Sequence, residues 1–129
     1  MKLVKNEEKY WDFIRILRNH PVVKLGFVRR EEITKEQHKK FMSTHGDNYY
    51  ICLIENTPAG FVGQINDDIR VATHPDFQGK SVGKFMINQL IKRHPAAFAK
   101  VKVDNEASFR LFEACGFKKK YYILENNAS

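Results

Sequence analysis

The sequence predicts a mixed α/β fold, one layered sheet with helices on both faces, and three observations carry the prediction. Strand-like runs separated by turn residues occupy most of positions 49–73. Strand and helix signals then alternate toward the end of the chain, and the first 48 residues hold two helical patterns. At 129 residues the chain fits one domain, spanning 1–129, which would bury roughly 65–70% of its unfolded surface. A hydrophobic fraction of 43%, with ten Phe against four Pro and seven Gly, is that of a folded chain without repeats, low-complexity tracts or linkers.

The elements follow in order. Leu3 and Val4 form a short strand, and Asn6 is the N-cap candidate of a helix that carries Trp11, Ile14 and Leu17 at helical spacing and stops at Asn19, His20 and Pro21. Thr34 and Gln37 have the capping-box spacing, in which each side chain satisfies a free amide of the first turn, so a second helix starts there and runs through Phe41 and Met42. Residues 49–55 read as a strand, 57–60 as a turn and 61–65 as the hairpin partner. A tight turn at Asn66, Asp67 and Asp68 leads into a strand over 69–73, ended by His74 and Pro75. The next helix presents Val82, Phe85, Met86 and Leu90 on one face up to His94 and Pro95. Residues 98–103 give a further strand, Asn105 caps a helix stopped by Gly116, 118–124 give a last strand, and 126–129 a frayed tail.

Lysine plus arginine exceed aspartate plus glutamate by 22 to 15, a net charge of +7 that favours an anionic partner without choosing it. The charges are scattered, with only Lys118, Lys119 and Lys120 in a run, so a nucleic-acid stripe is not visible. Five histidines without paired ligand spacing suggest no metal site. Cys52 and Cys115 lie among apolar residues and read as buried reduced thiols. Without an apolar run of about 18 residues or a secretory N-terminus, the expectation is a cytoplasmic protein with no membrane partner.

One segment carries chemistry: Val71-Ala72-Thr73-His74-Pro75-Asp76-Phe77-Gln78-Gly79-Lys80-Ser81-Val82-Gly83-Lys84 is a strand, a small-residue turn and a helix start. Small residues let successive backbone amides approach a phosphate, and the free amides and dipole of a helix N-terminus favour its negative charge. Lys80 and Lys84 add mobile positive charge. A Walker P-loop is excluded, because its first glycine and the four-residue gap before Gly-Lys are absent.

In this segment the chain resembles the GNAT superfamily of N-acetyltransferases, whose signature is Gln or Arg, two residues, Gly, one residue, then Gly or Ala. Gln78, Ser81 and Gly83 fill those places, with serine where the first glycine is usual. Serine tolerates a positive φ less readily than glycine. Upstream, His74-Pro75 closes the strand as is common in the family. Downstream, Asn105-Glu106-Ala107-Ser108, then Phe112, then Gly116-Phe117 is similar to its second motif. Each taken alone is a loop, a cap or a helix stop; their order makes the case. The resemblance covers residues 49–124 well and 1–48 mainly in element order.

The resemblance implies a mixed, mostly antiparallel sheet of about six strands with one splayed parallel pair, residues 69–73 beside 98–103, flanked by about four helices. It implies acetyl-CoA as acyl donor. Val71, Ala72 and Thr73 would offer backbone groups to the pantetheine and thioester, and Gln78, Gly79, Lys80, Ser81, Val82, Gly83 and Lys84 would cradle the pyrophosphate. Asn105, Ser108 and Phe112 line the rest of the cofactor site by position. Asp68 and His74 are the candidates for the base that frees the acceptor amine. Many relatives place a thiolate-protonating tyrosine where this chain has Phe112, which cannot donate a proton, so water, Ser108, another tyrosine or unaided departure must serve.

More weakly, the N-terminal part is similar to acetyltransferases of nucleotide-linked amino sugars, through Leu17-Arg18-Asn19, Val22 and Val23, Ile33-Thr34, Gln37-His38 and Phe41. That makes Arg18, Asn19, His38 and His45 candidates for acceptor contacts. A protein N-terminus, a small-metabolite amine, or CoA binding without turnover are the alternatives. The additional strand that usually completes this family's sheet is missing or short here, so a homodimer that covers the open edge is a further expectation.

Overall fold

The computed structural model describes residues 1–27 and 31–127. Its elements run β1 (Lys2–Lys5), α1 (Glu8–Asn19), α2 (Lys35–His45), β2 (Tyr49–Ile54), β3 (Thr57–Ile65), β4 (Asp68–Thr73), α3 (Val82–Arg93) and α4 (Glu106–Ala114). Single turns of 3-10 helix lie at Val23–Gly26, Gly46–Asn48 and Pro75–Phe77. The strands form an antiparallel sheet in the order β1-β2-β3-β4. Among the described residues, no helix is long and apolar enough to cross a membrane.

Two hairpins build the sheet. Glu55 and Asn56 (φ 49° and 66°), then Asn66 and Asp67 (φ 51° and 70°), form two-residue loops with both residues left-handed, the geometry that matches strand twist. The turn expected over 57–60 is thereby displaced to Glu55 and Asn56, and Thr57 to Gly60 belong to β3. A register shift between Cys52 and Leu53 falls opposite this stretch and accommodates Pro58, which has no ladder donor. Asp68 opens β4 rather than closing the turn.

Because side chains alternate across a strand, each strand serves two cores. Tyr49, Ile51, Leu53, Phe61 and Ala72 pack with Ile14 and Leu17 of α1 and Met42 of α2. Cys52, Val62 and Ile69 pack on the other face with Val82, Met86, Ile87 and Leu90 of α3 and Phe112 of α4. Fully buried side chains such as Phe61, Leu17, Met86 and Leu90 contribute roughly 1.5–3 kcal/mol each by leaving water. Cys52 is buried and Cys115 half-buried, both as free thiols whose titration burial pushes up.

Thr34 and Gln37 form the expected capping box. Asn6 does not cap α1. Glu7 occupies that place without a side-chain bond, while the Asn6 amide donates to the Gly46 carbonyl at 3.2 Å and so ties β1 to the end of α2.

Among the described residues four strands form instead of about six. Residues 98–103 meet the sheet only at Phe98, in a parallel bridge to Asp68, and then leave it. Residues 118–124 join no ladder, and Tyr121, Tyr122, Ile123 and Leu124 are 66–92% exposed. Strand propensity in a segment is not sufficient, since a strand exists only through its neighbour. Of the expected tail, Ala128 and Ser129 lie outside the described residues.

Candidate functional site

The parallel pair opens as soon as it forms. The Ile69 amide donates to the Phe98 carbonyl at 2.9 Å and the Phe98 amide donates to the Asp67 carbonyl at 2.8 Å. With a two-residue period, Val71 and Thr73 point their backbone groups to the same outer edge as Ile69, whereas the His74 amide turns inward to the Ala59 carbonyl at 2.8 Å. Among the described residues, no backbone group outside the sheet ladder meets the Val71 or Thr73 amide. This edge can take an extended ligand as an added strand, or aim an amide at a developing oxyanion.

Between β4 and α3, Gly79 (φ 78°) and Ser81 (φ 62°) are both left-handed, and Ser81 is the residue that enters α3. Gln78, Gly79, Lys80 and Ser81 are all exposed, and a Cβ placed on Gly79 would meet nothing within 4 Å. The turn is thus open, and the first amides of a 12-residue helix stand behind it. Such a cradle fits a pyrophosphate, with the exposed Lys80 and Lys84 beside it. Gly83 has a different reason to be small: a Cβ there would lie 2.9 Å from Leu111 Cδ2 and 3.7 Å from Thr73 Oγ1, so it lets α4 approach α3 and β4. Val82 and Ala72 are core residues that position the turn and the edge.

On α4, the Asn105 carboxamide oxygen accepts from the Ser108 amide at 3.1 Å, an N-cap, and its Nδ2 reaches the Gly26 carbonyl at 3.4 Å. Ser108 is half-buried in the first turn. Phe112 is 6% exposed, packed edge-to-face on Phe117 at 5.2 Å, and is a core residue at the place of the family's tyrosine.

Across the sheet from α3 lies a cavity of about 240 Å3 between α1, α2 and the strands. Arg18, His38, Tyr49 and Arg70 bring its polar groups, on a wall that includes Phe27, Phe41 and Phe61. Two of the four expected acceptor residues, Arg18 and His38, are there. The Arg18 guanidinium lies 3.8 Å over the Phe27 ring. His38, 5% exposed, donates from Nε2 to the Trp11 carbonyl at 2.9 Å. Burial holds the His38 imidazole below its ordinary value, with the Trp11 carbonyl opposing.

The other two stand outside that wall. Asn19 is committed to the Ile33 peptide, accepting from its amide and donating to its carbonyl, both at 2.8 Å, which pins the segment after α1 to the start of α2. His45 stacks on Phe41 at 4.8 Å between centroids.

Asp68 is not a solvated turn residue. Its side chain is 16% exposed, and Oδ2 lies 3.6 Å from both Arg70 and Lys100. His74 Nδ1 accepts from the Asp76 amide at 3.1 Å, so a neutral ring carries its proton on Nε2 and has no free lone pair for a second.

Tyr49 and Arg70 were not legible as site residues in the sequence. Burial pushes the Tyr49 phenol up to about 12, against the pull of Arg70 and Arg18, so it remains a hydrogen-bond donor. Burial also lowers the Arg18 guanidinium; Tyr49 and Glu31 oppose that shift and Arg70 adds to it. The signal that joins them is register: Tyr49 pairs with Gly63, and Gly63 with Arg70.

The model of the acetyltransferase (GNAT) family matches residues 10–117. No curated protein matches the sequence significantly. Among solved structures, a domain from Methanocaldococcus jannaschii is 23% identical, with a TM-score of 0.76 over 92% of this chain and 88% of that one. Spermidine N-acetyltransferase from Vibrio cholerae, in complex with CoA and spermine, is 18% identical, with a TM-score of 0.78 over 97% and 85%. A phosphinothricin acetyltransferase from Sinorhizobium meliloti, in complex with acetyl-CoA, is 17% identical, with a TM-score of 0.77 over 91% and 74%. A family match over most of the sequence, on a fold with the family's open edge and helix-entry turn, means that this chain belongs to the acetyltransferase (GNAT) family.

Proposed function

We propose that this chain is an acetyl-CoA-dependent N-acetyltransferase that passes the acetyl group directly to a small primary amine. The observation that carries the reading is the outer edge of β4, where the Val71 and Thr73 amides face away from the sheet beside the left-handed turn into α3. Amines are also the acceptors named for the spermidine and phosphinothricin enzymes that share the fold.

In this reading the residues from Gln78 to Lys84 hold the pyrophosphate, and β4 holds the pantetheine as an added strand. The neutral amine attacks the thioester carbonyl carbon. A C–N bond forms, the C–S bond breaks, CoA leaves as its thiolate, and the proton lost by the nitrogen passes to Asp68 or to water. Asp68 is favoured over His74, because it shares a strand face with Arg70 at the cavity while His74 uses its free lone pair in a turn. With Phe112 at the tyrosine position, the thiolate leaves unaided or is met by water, which a thiol pKa near 8.5 permits. Ser108, whose amide is held by the Asn105 cap, is the other candidate donor.

A nucleotide-linked amino sugar with its sugar in the cavity is one acceptor of this kind; a small-metabolite amine or a protein N-terminus is the alternative. The exposed apolar row at Tyr121 to Leu124 supports a homodimer through the C-terminal edge, and light scattering that finds a monomer at all concentrations would remove it.

The test pairs calorimetric titration of acetyl-CoA with thiol release across an amine panel. Binding with turnover supports the enzyme, binding without turnover on any amine leaves a CoA-binding member, and no binding rejects both.

A further inference from the structure

The cavity between α1, α2 and the sheet is an unfilled volume whose wall is largely hydrocarbon. Ile14, Met42 and Phe61 form its buried floor, and half-buried Phe27, Ile33 and Phe41 its rim. Three rings of the wall touch in series: Phe41 meets Tyr49 edge-on at 6.2 Å between centroids, and Tyr49 meets Phe61 at 5.9 Å. Folded interiors leave few voids larger than a water molecule, so about 240 Å3 against a packed sheet face is room for a ligand.

The polar side chains of the wall are engaged within the protein. The Gln37 carboxamide oxygen accepts from the Thr34 amide at 3.1 Å, and His38 donates to the Trp11 carbonyl at 2.9 Å. Arg70 faces Asp68 at 3.6 Å, and Arg18 lies over the Phe27 ring with Glu31 acting on it as an opposite charge. A polar group entering here would give up its water for side chains that already have partners, whereas an apolar group gains by leaving water. An apolar cavity of about 150 Å3 is enough to take up benzene, so about 240 Å3 holds one ring with a short alkyl stem and not a whole nucleotide.

We propose that this cavity holds an apolar group of the acceptor, an aromatic ring or a branched alkyl chain, so that the acceptors are small hydrophobic primary amines. The proposal rests on the acetyltransferase reading of this site and narrows its substrate class. Position ties the cavity to the chemistry: Arg70 is in its wall, Val71 follows in β4, and Asp68, two residues earlier, is on the same strand face. An amine on a short stem above the apolar group stands at the rim, toward Asp68 and the outer edge of β4. A sugar ring is disfavoured, because its hydroxyls would face Phe27, Phe41 and Phe61, and so is a polyamine, whose further ammonium groups would lose their water there.

The experiment compares phenethylamine and 3-methylbutylamine with ethanolamine, glucosamine and spermidine as acceptors, by thiol release from acetyl-CoA. Wild-type protein, Ile33→Trp and Ile33→Gln are used after melting curves show which are folded. The expected result is a kcat/KM for at least one apolar amine that exceeds the ethanolamine value by about 10-fold or more, since a hydrophobic pocket discriminates even one methylene by that much. The preference falls in Ile33→Trp, which fills the cavity from its rim, and in Ile33→Gln, which makes the rim polar, through KM for the amine and with KM for acetyl-CoA unchanged. Ethanolamine, glucosamine or spermidine used as well as the apolar amines overturns the proposal, and so does a preference that the folded variants keep in full. If no amine is acetylated, the acetyltransferase reading fails separately, and calorimetry with benzyl alcohol in the presence of CoA still decides. Saturable binding that is lost in Ile33→Trp supports the apolar site; no binding, or binding that the variants keep, overturns it.

Discussion

Tyr49 and Arg70 stand in one row across three strands with only Gly63 between them. Strand spacing sets their Cα atoms roughly 10 Å apart. Two long side chains on the same face close that gap only if nothing rises from the middle strand, and a Cβ on Gly63 would lie 2.7 Å from the Asn48 carbonyl oxygen and 2.8 Å from Tyr49 Cγ. The cavity between α1, α2 and the sheet therefore depends on a residue that contributes no side chain to it.

Gly63→Ala should lower stability by about 1–3 kcal/mol, since the neighbouring backbone oxygen cannot yield as a side-chain tip would. Denaturant unfolding checks this. Wild-type stability in the variant would mean that the row has more slack than these distances allow.

Tyr49 should make folding sensitive to alkali. Its folded value, raised to about 12, exceeds the ordinary value near 10, so the folded state holds the proton longer than the unfolded chain. The associated stability is complete below pH 10 and is lost as pH rises toward 12, in total about 2–3 kcal/mol at 1.36 kcal/mol per unit. Unfolding free energies between pH 9 and 12 should show this slope in the wild type and lose it in Tyr49→Phe; an identical slope in both would reject the assignment.

His38 should act in the opposite direction. Its folded value lies below the ordinary 6.5, so the unfolded chain takes up the proton first and stability declines as pH falls through 6.5. Titration of the imidazole by NMR reads this directly; a midpoint at or above 6.5 would contradict it.

Ser81→Gly should stabilise the protein by up to about 1 kcal/mol. Serine at φ 62° carries the strain of the left-handed region, roughly 1–2 kcal/mol, and the greater freedom of glycine in the unfolded chain offsets part of the gain. Acetyl-CoA affinity should be retained or improved, because the turn keeps its shape. A melting temperature lowered by the substitution would show that the hydroxyl has a role the turn geometry does not reveal.

Asp68→Asn should reduce kcat by about 10²–10⁴ if the carboxylate receives the amine proton. Stability should change by less than about 1 kcal/mol, because Arg70 and Lys100 are themselves 40% and 47% exposed at 3.6 Å. Loss of the acid limb of the pH–rate profile is the signature to seek; a change in KM alone would make Asp68 a positioning residue for Arg70.

Much of the fold was legible because its signals are local. The Thr34–Gln37 capping box, the Asn105 cap and the stop at Asn19 and His20 each depend on a few neighbouring residues, and each appears where the spacing places it. Legibility failed where a segment needed a distant partner. Asn6 has the chemistry of a cap, but the Gly46 carbonyl 40 positions away takes its amide. Residues 98–103 have strand composition, yet pairing stops after Phe98.

By itself, then, the sequence determined the family and singled out the turn proposed to hold the donor, because the stretch from Gln78 to Gly83 is read within a single strand–turn–helix unit. Only the tertiary structure decided which side chains line the cavity across the sheet from α3. Arg18, His38, Tyr49 and Arg70 come from two helices and two strands, and what brings them to one wall is strand register and the missing side chain of Gly63. Register is set by pairing between segments, so no local pattern in the chain could announce which side chains would share a face.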